Sequence, residues 1–441
     1  RAIRGAVMVS GRGISCWLGV FVSGAAQAAR FSDCNTGRLA PCRYKVSGIA
    51  LALAVLALSS GRGSAAEDAG SPDASSTAGP PSLGQMERTR YDELYRDWRA
   101  VVGQLHLLDV TYQNATARRR DKLRTQYQEL VTRGSELEQQ VIQAAISAYA
   151  KNPEANADLA DLLAGVVSLL MQGEEYEETL RLAQLLLDQG ISRRDLRIVA
   201  GLAAFAVAEF DSAEKHLRKA NQEQALTGIA ARCLKEIDAY KPAWEREQKL
   251  RDAERSAGDL PHVLLRTTQG EIELELFENE APNTVANFIY LIEQGFYNGL
   301  TFHRVIAQQM AQAGCPNGDG SGGPGYMIPC ECSREDHRRH FRGSLAMAHL
   351  GRDTGGSQFY LTFVPLAHLN GNHTVFGRVV RGLEVLAKLQ RREPPDPGSR
   401  WINPNPDISI PPADKIIEAK VLRKRDHPYR PRVWTVAPDK G

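Results

Sequence analysis

Hydrophobic residues fall in blocks, rather than with a period, along the first part of the chain. Arg43 and Lys45 precede an unbroken apolar run from Ile49 to Leu58, and Ser64-Ala65-Ala66 places small residues before Glu67. That is the pattern of a secretory signal with its cleavage point. The run is shorter than the roughly 20 residues a bilayer span requires, which favours a removed signal over a retained anchor, an uncleaved anchor being the alternative. The chain opens on Arg1, and a second, weaker apolar segment runs from Ile14 to Ala29, so residues 1–66 are assigned to an undefined start plus the signal. Residues 67–84 are rich in Ser, Ala, Gly and Pro with almost no large apolar side chain, and are read as a disordered linker.

From residue 85 the pattern becomes helical. Met86 to Lys151 mixes charged and apolar residues without proline, which predicts long, exposed, amphipathic helices. Between Ala157 and Ala220 large and small positions recur 34 residues apart: Tyr176 with Phe210, Ala183 with Leu217, Leu186 with Ala220. Gln222 to about Ala257 reads as a charged linker helix, ended by Gly258 to Pro261. At His262 the period drops to two. Val263 and Leu265 alternate, Gln269-Gly270 marks a turn, and Glu271, Glu273 and Glu275 alternate with Ile272, Leu274 and Leu276, which predicts a hairpin with one wet face. Pro282, the set Val285, Phe288, Ile289 and Ile292, and then Gly295 delimit one helix, and Leu383 to Leu389 reads as a second. Short strands with only two helices indicate a closed barrel capped at its ends. The expected order is a helical region over 85–257, a barrel domain over 258–425 and a tail over 426–441.

Composition changes this picture little. Hydrophobic residues make up 43% and charged residues 24%, ordinary for soluble globular domains, and the net charge of +2 supplies no field that would select a nucleic acid partner. The runs Arg118 to Arg120 and Arg338, Arg339, Arg342 read as solvated faces. Of the seven cysteines, Cys16, Cys34 and Cys42 precede the cleavage point. The remaining Cys233, Cys315, Cys330 and Cys332 do not make a disulfide framework in a chain this long. Cys315, Cys330 and Cys332 with His337 and His340 form the one cluster with metal-ligand chemistry. Its Cys-x-Cys spacing is not that of a zinc knuckle, and a disulfide from Cys315 to Cys330 or Cys332, free thiols and a metal stay open as readings, with neither metal nor cofactor assigned. Gly318 to Gly325 lacks the Gly-Lys-Ser/Thr of a phosphate cradle, and Asn317 and Asp319 lack the later acidic ligand of a calcium loop.

Phe302-His303-Arg304-Val305-Ile306 with Met310 and Gln312, then Gly343 to Ala348, Gly355 to Tyr360, Leu369-Asn370-Gly371, and His373 to Gly377 occur in the order and spacing of cyclophilins. From about His262 to about Lys424 the chain resembles that family. The resemblance implies a peptidyl-prolyl cis/trans isomerase with an eight-stranded antiparallel barrel and two capping helices. The recurrence at 34 residues resembles two degenerate tetratricopeptide repeats, plain helical hairpins being the simpler alternative. The fold class expected is therefore multidomain: an all-α hairpin or repeat region followed by a capped cyclophilin-like barrel.

The chemistry of such a site can be argued from the reaction. Rotation about an Xaa-Pro bond moves no proton, but it must cross a barrier of roughly 18 to 20 kcal/mol set by amide resonance. What accelerates it is tighter binding of the twisted amide than of either planar form. As the bond twists, the prolyl nitrogen regains its lone pair, and an arginine aimed at that nitrogen stabilises only the twisted state. By the resemblance, Arg304 is the catalytic residue. Phe302, Gln309, Met310, Gln312, Ala348, His349, Gln358, Tyr360, His368, Leu369 and His373 are the proline- and peptide-binding set, with Met310, Tyr360 and Leu369 on the ring, His373 facing it, and Gln358 holding Arg304. The glycine-rich loop is expected beside the peptide groove.

Several positions depart from the family pattern. Gln309 replaces a pocket phenylalanine, Ala307-Gln308 replaces the usual proline and glycine, His349 stands where asparagine is common, His368 where many members carry tryptophan, and Tyr360 where phenylalanine is frequent. The reading is an isomerase acting on proline-containing clients outside the cytoplasm, periplasmic or extracellular, with the helical repeats engaging a protein partner. The alternative is a catalytically blunted proline-peptide scaffold. Neither nucleic acid nor a stable membrane span after signal removal is expected.

Overall fold

The computed structural model describes residues 82–113, 115–191, 193–335, 337–393 and 412–435. The signal-like segment and the linker up to residue 81 lie outside the described residues, while Leu83 and Gly84, read as linker, already form the first turn of a helix. Among the described residues seven helices precede the barrel: α1 (Leu83–Gln113), α2 (Ala117–Lys151), α3 (Ala157–Gln172), α4 (Tyr176–Asp188), α5 (Arg194–Ala206), α6 (Phe210–Glu223) and α7 (Gly228–Ala257). No helix among the described residues is long and apolar enough to cross a membrane. The long pair α1 and α2 pack through Leu105 and Leu108 against Tyr127 and Val131. The recurrence at 34 residues marks helix starts, since α4 begins at Tyr176 and α6 at Phe210. A Cβ added at Gly201 would lie 2.6 Å from the Leu217 side chain, so the missing side chain lets α5 approach α6 closely.

The described residues divide into two compact units, those up to 173 together with 182–191, and 174–181 together with those from 193 on. The second contains the sheet. Its strands are β1 (His262–Thr267), β2 (Gly270–Leu276), β3 (Arg304–Ile306), β4 (Met310–Ala313), β6 (Ser344–Met347), β7 (Phe359–Thr362), β8 (Val375–Arg381) and β9 (Ile416–Arg423), in the spatial order β3-β4-β7-β6-β8-β2-β1-β9 with every pairing antiparallel. The wet-faced hairpin is present, closed by the pair Thr267 and Gly270, so its two turn residues are Thr268 and Gln269, one position earlier than expected. Inward-facing Val263, Leu265, Ile272 and Leu274 are fully buried against α8 (Pro282–Glu293), with its Val285, Phe288 and Ile289, while α9 (Leu383–Lys388) covers another part of the core.

Two expectations about the barrel change. The sheet curls until its edges meet, but it closes ahead of β3 and β9, through the bridge Thr301 to Lys415 and the bonds from the Phe302 N–H to the Asp414 carbonyl at 2.8 Å, the Ile416 N–H to the Leu300 carbonyl at 2.8 Å and the Gly299 N–H to the Ile416 carbonyl at 2.7 Å, not through a ladder between the two strands. With three residues, β3 is too short to present one. The stretch assigned to a tail is part of this domain: Tyr429 is buried with its hydroxyl donating to Glu278 at 2.8 Å, and β10 (Trp434–Thr435) pairs with β5 (Tyr326–Met327).

The larger correction concerns α7, which is no linker. Cys233, Ile237, Tyr240, Glu247 and Glu254, spaced three, four or seven residues apart, form one buried face. Tyr240 meets Phe341 edge-on and Trp244 meets it at a tilt, with ring centroids 5.6 and 4.8 Å apart. One turn and more further along, Glu247 and Glu254 meet Arg338 at 3.0 and 2.6 Å, and Glu254 meets Arg378 at 3.2 Å. Arg338, read as part of a solvated face, has a side chain only 1% exposed and lies over the Phe277 ring at 3.8 Å. Arg378 also pairs with Glu275 on the neighbouring strand at 2.5 Å. Burial pushes the Glu254 carboxyl above its usual range, against the pull of Arg338. Removing one member of such a cluster leaves the others buried and uncompensated. Arg338→Ala is therefore expected to lower the unfolding free energy by about 3 to 5 kcal/mol. Arg352→Ala, on an exposed loop, should change it by less than about 0.5 kcal/mol; urea titration of both variants checks the contrast.

Candidate active site

Strand alternation builds the site. Val305, Ala311, Ala313, Phe359 and Leu361 point into the core and are fully buried, so the residues between them face outward. Register then lines them up: Arg304 lies opposite Gln312, Gln312 opposite Tyr360, Tyr360 opposite Ala346, and Ala346 opposite Val375. This row crosses β3, β4, β7, β6 and β8. Tyr360, Ala346 and Val375 with Leu260 and Phe277 form a second small core, against which the half-buried Met310, Ala348 and Leu369 pack. The result is an apolar patch ending in an arginine. Gly314 is required for it, because at φ +88° its hydrogen sits where a Cβ would lie 2.3 Å from the Ser357 carbonyl.

The polar half of the row is fixed by hydrogen bonds. Gln358 donates both amide hydrogens to the carbonyls of Gly320 and Gly322, at 2.8 and 2.9 Å, and its oxygen accepts from Gln312 at 2.9 Å. The glycine-rich loop thus lies beside the site, as expected, and supplies backbone carbonyls. Gln312 turns its own oxygen toward Arg304 at 3.5 Å. Gln358 was expected to hold Arg304; it holds Gln312, which in turn faces Arg304. Among the described residues no carboxylate pairs with Arg304, and burial lowers its guanidinium from the ordinary value.

The histidines occupy the other side. His373 donates from Nδ1 to the Met347 carbonyl at 3.0 Å, stacks on His349 at 4.0 Å and meets Tyr360 edge to face at 5.7 Å. Burial, with His349 adjacent, holds His373 below its ordinary value. Beside His349 lies Cys330, which raises that imidazole. Burial pushes the Cys330 thiol up, but His349 and the Asp353 N–H outweigh it and bring the thiol below its usual range. His368 stands exposed at the rim.

Two expected binding residues sit elsewhere. Phe302 is fully buried in the main core: it lies in the non-strand segment before β3 begins at Arg304, where the alternation that turns Arg304 outward does not apply. Gln309 is exposed in the turn between β3 and β4, so its amide meets water instead of lining the pocket. The adjacent Gln308 adopts φ +56° at the position read as replacing a glycine, and its N–H donates to the Glu174 carboxylate at 2.6 Å, which Arg391 holds at 2.9 Å. The five-residue Cys and His cluster disperses: all four described cysteines are free, Cys315 accepts from the N–H groups of Gly320 and Gly322 at 3.2 Å, and His340 is buried beneath Tyr360. His340 is the functional neighbour that sequence reasoning missed, having been set aside as a metal candidate.

The model of the family described as cyclophilin type peptidyl-prolyl cis-trans isomerase/CLD matches residues 262–412. A peptidyl-prolyl cis-trans isomerase of Helicobacter pylori strain 26695 is 54% identical over 132 residues, 30% of this chain and 80% of that protein. Peptidyl-prolyl cis-trans isomerase B of Bacillus subtilis is 58% identical over 119 residues, 27% and 82% of the respective chains. A crystal structure of a cyclophilin type isomerase from Cryptosporidium parvum is 29% identical and covers 38% of this chain and 99% of that one, with a TM-score of 0.32. The chain belongs to the cyclophilin-type peptidyl-prolyl cis-trans isomerases, and its activity is that of the family.

His340 gives the site a pH signature. Burial pushes its imidazole down to about 3 from an ordinary 6.5. Between those values the unfolded chain binds a proton that the folded chain refuses, so stability falls as pH is lowered through that window. In urea titrations between pH 7 and pH 5, His340→Gln should show a flatter loss of stability than the unmodified protein; an identical slope would assign the pH dependence to other groups.

Proposed function

We propose that this isomerase acts on Xaa-Pro bonds of exported proteins and assists their folding outside the cytoplasm. The observation that carries the location is the run from Ile49 to Leu58 between Arg43, Lys45 and Ser64-Ala65-Ala66. Folding assistance follows from rate: uncatalysed Xaa-Pro isomerisation takes roughly tens to hundreds of seconds, long enough to limit folding. The helical repeats upstream of the barrel engage client chains or a protein partner.

At the site, Arg304 donates to the prolyl nitrogen of the twisted amide. Its support is geometric: the guanidinium ends a row of outward side chains, lacks a carboxylate partner among the described residues, and faces an amide oxygen fixed through Gln358. Met310, Tyr360 and Leu369 receive the proline ring, and Gln312, Ala348, His349 and His373 contact the peptide. His368 borders the groove. Because Gln309 turns to water, the pocket lacks one aromatic wall, which weakens ring binding by about 1 to 3 kcal/mol while leaving the donor in place.

Two measurements test this reading. With short Xaa-Pro peptides, Arg304→Ala should lower kcat/KM by about 10²-fold or more, whereas Gln309→Phe should lower KM; full activity in Arg304→Ala would remove the arginine from the mechanism. In an expressing bacterium, the mature chain should begin at Glu67 and fractionate outside the cytoplasm. An intact leader on cytoplasmic protein would overturn the assignment to exported clients.

A further inference from the structure

A tyrosine in the proline pocket carries a hydroxyl that has to be satisfied, and the way this is done links the pocket to α7. Tyr360 is 2% exposed, and its oxygen lies 2.8 Å from Nε2 of His340. Nδ1 of His340 lies 2.9 Å from Oδ1 of Asn370, which also accepts the His340 N–H at 2.8 Å. An amide oxygen only accepts, so Nδ1 carries the ring proton, Nε2 is the acceptor, and the Tyr360 hydroxyl is the donor. The amide nitrogen of Asn370 donates to the hydroxyl of Tyr240 at 3.5 Å, and that hydroxyl donates to the His340 carbonyl at 3.2 Å. The acceptor-only oxygens at the two ends of His340 thus fix the direction of each of these hydrogen bonds.

Both ends matter for the ring pocket. At one end stands Tyr360, whose ring lies parallel to His340 with centroids 5.8 Å apart and edge-on to His373. Asn370 directly follows Leu369, so fixing Asn370 also fixes the short helical turn Ala367–Leu369 that presents Leu369 to the pocket. At the far end Tyr240 is 1% exposed and clamped between Phe210, stacked at 5.4 Å, and Phe341. It is thus held by aromatic rings of α6 and of the barrel. A phenylalanine at position 360 would need none of this.

We propose that Tyr240, on the helix preceding the barrel, is a positioning residue for catalysis: through Asn370 and His340 it sets the placement of Tyr360 beside the proline ring. Asn370 and His340 are positioning residues in the same chain. The proposal rests on the reading of Met310, Tyr360 and Leu369 as the ring pocket. It makes substrate affinity a property of the helix and barrel together, transmitted by a directional set of hydrogen bonds.

The test is a double-mutant cycle on the full chain. Line-shape or exchange NMR of an Ala-Pro peptide would give KM and kcat for the unmodified protein, Tyr240→Phe, Tyr360→Phe and the double variant, well below each melting temperature. Tyr240→Phe should raise KM about two- to tenfold with kcat little changed. In the Tyr360→Phe background, where the hydroxyl at the end of the chain is gone, the same substitution should change KM by less than about twofold. A merely structural role would lower the melting temperature in both backgrounds and leave KM alone, or would act equally in both; either result overturns the proposal. Leu369→Ala keeps the two readings apart. If it leaves KM unchanged, the pocket has been misplaced and the proposal falls with it; if it raises KM while Tyr240→Phe is silent, the pocket stands and only the role of Tyr240 falls.

Discussion

A guanidinium with 1% of its side chain exposed is tolerable only where carboxylates come to it, and Arg338 obtains two of its three from a helix outside the barrel. Glu247 and Glu254 lie seven residues apart on α7, two turns of one face, so their spacing fixes both the azimuth of the helix and its axial position. Arg378 on β8 shares Glu254 and adds Glu275, tying the same cluster into the sheet. A charge cluster of this kind adds little net stability compared with apolar packing, but it penalises every misplacement of its members heavily. Its effect here is register: once Arg338 is matched, Tyr240, two turns before Glu247, is brought against His340 and Asn370, and the aromatic set around Phe341 closes over it. Sheet, helix and pocket are consequences of one another.

The site itself needs little beyond strand periodicity. Alternation along β3, β4 and β7 places core residues inward and Arg304, Gln312 and Tyr360 outward, and antiparallel register puts them side by side. Such a row can recognise a proline ring at its apolar end and a pyramidal nitrogen at its cationic end without any titrating group. This suits a reaction that transfers no proton. The departures from the family pattern are absorbed locally. Gln308 adopts a left-handed backbone that an L side chain resists, and the Glu174 carboxylate, held by Arg391, takes up its N–H. Tyr360 in place of phenylalanine finds its acceptor in a histidine held neutral by burial.

Legibility in the sequence followed the kind of signal. The hairpin at His262, the helix after Pro282 and the outward row were readable because apolar residues alternate or recur with a fixed period, and the family motifs gave the row its meaning. The helix starts at Tyr176 and Phe210 were readable from their 34-residue offset. What escaped was α7, because its buried face changes from apolar to acidic at Glu247, and a carboxylate in a stripe position looks like a solvated one until an arginine is known to meet it. The seven-residue spacing of Tyr240, Glu247 and Glu254 was the available clue. Arg338 escaped for the complementary reason, a basic run being normally solvated. Phe302 and Gln309 were misplaced because motif membership does not say which side of a strand or turn a residue takes.

The shared charge cluster makes α7 and the barrel one cooperative unit. Native-state amide hydrogen exchange, resolved by peptide mass spectrometry on the full chain, tests this most directly. If so, amides on the buried stretch of α7 from Cys233 to Glu254 open with the same free energy, and the same dependence on denaturant, as those of β6 and β8. Exchange of α7 at a markedly lower free energy, with the barrel strands still protected, would mean that the helix is an appendage and that the barrel holds its pocket alone.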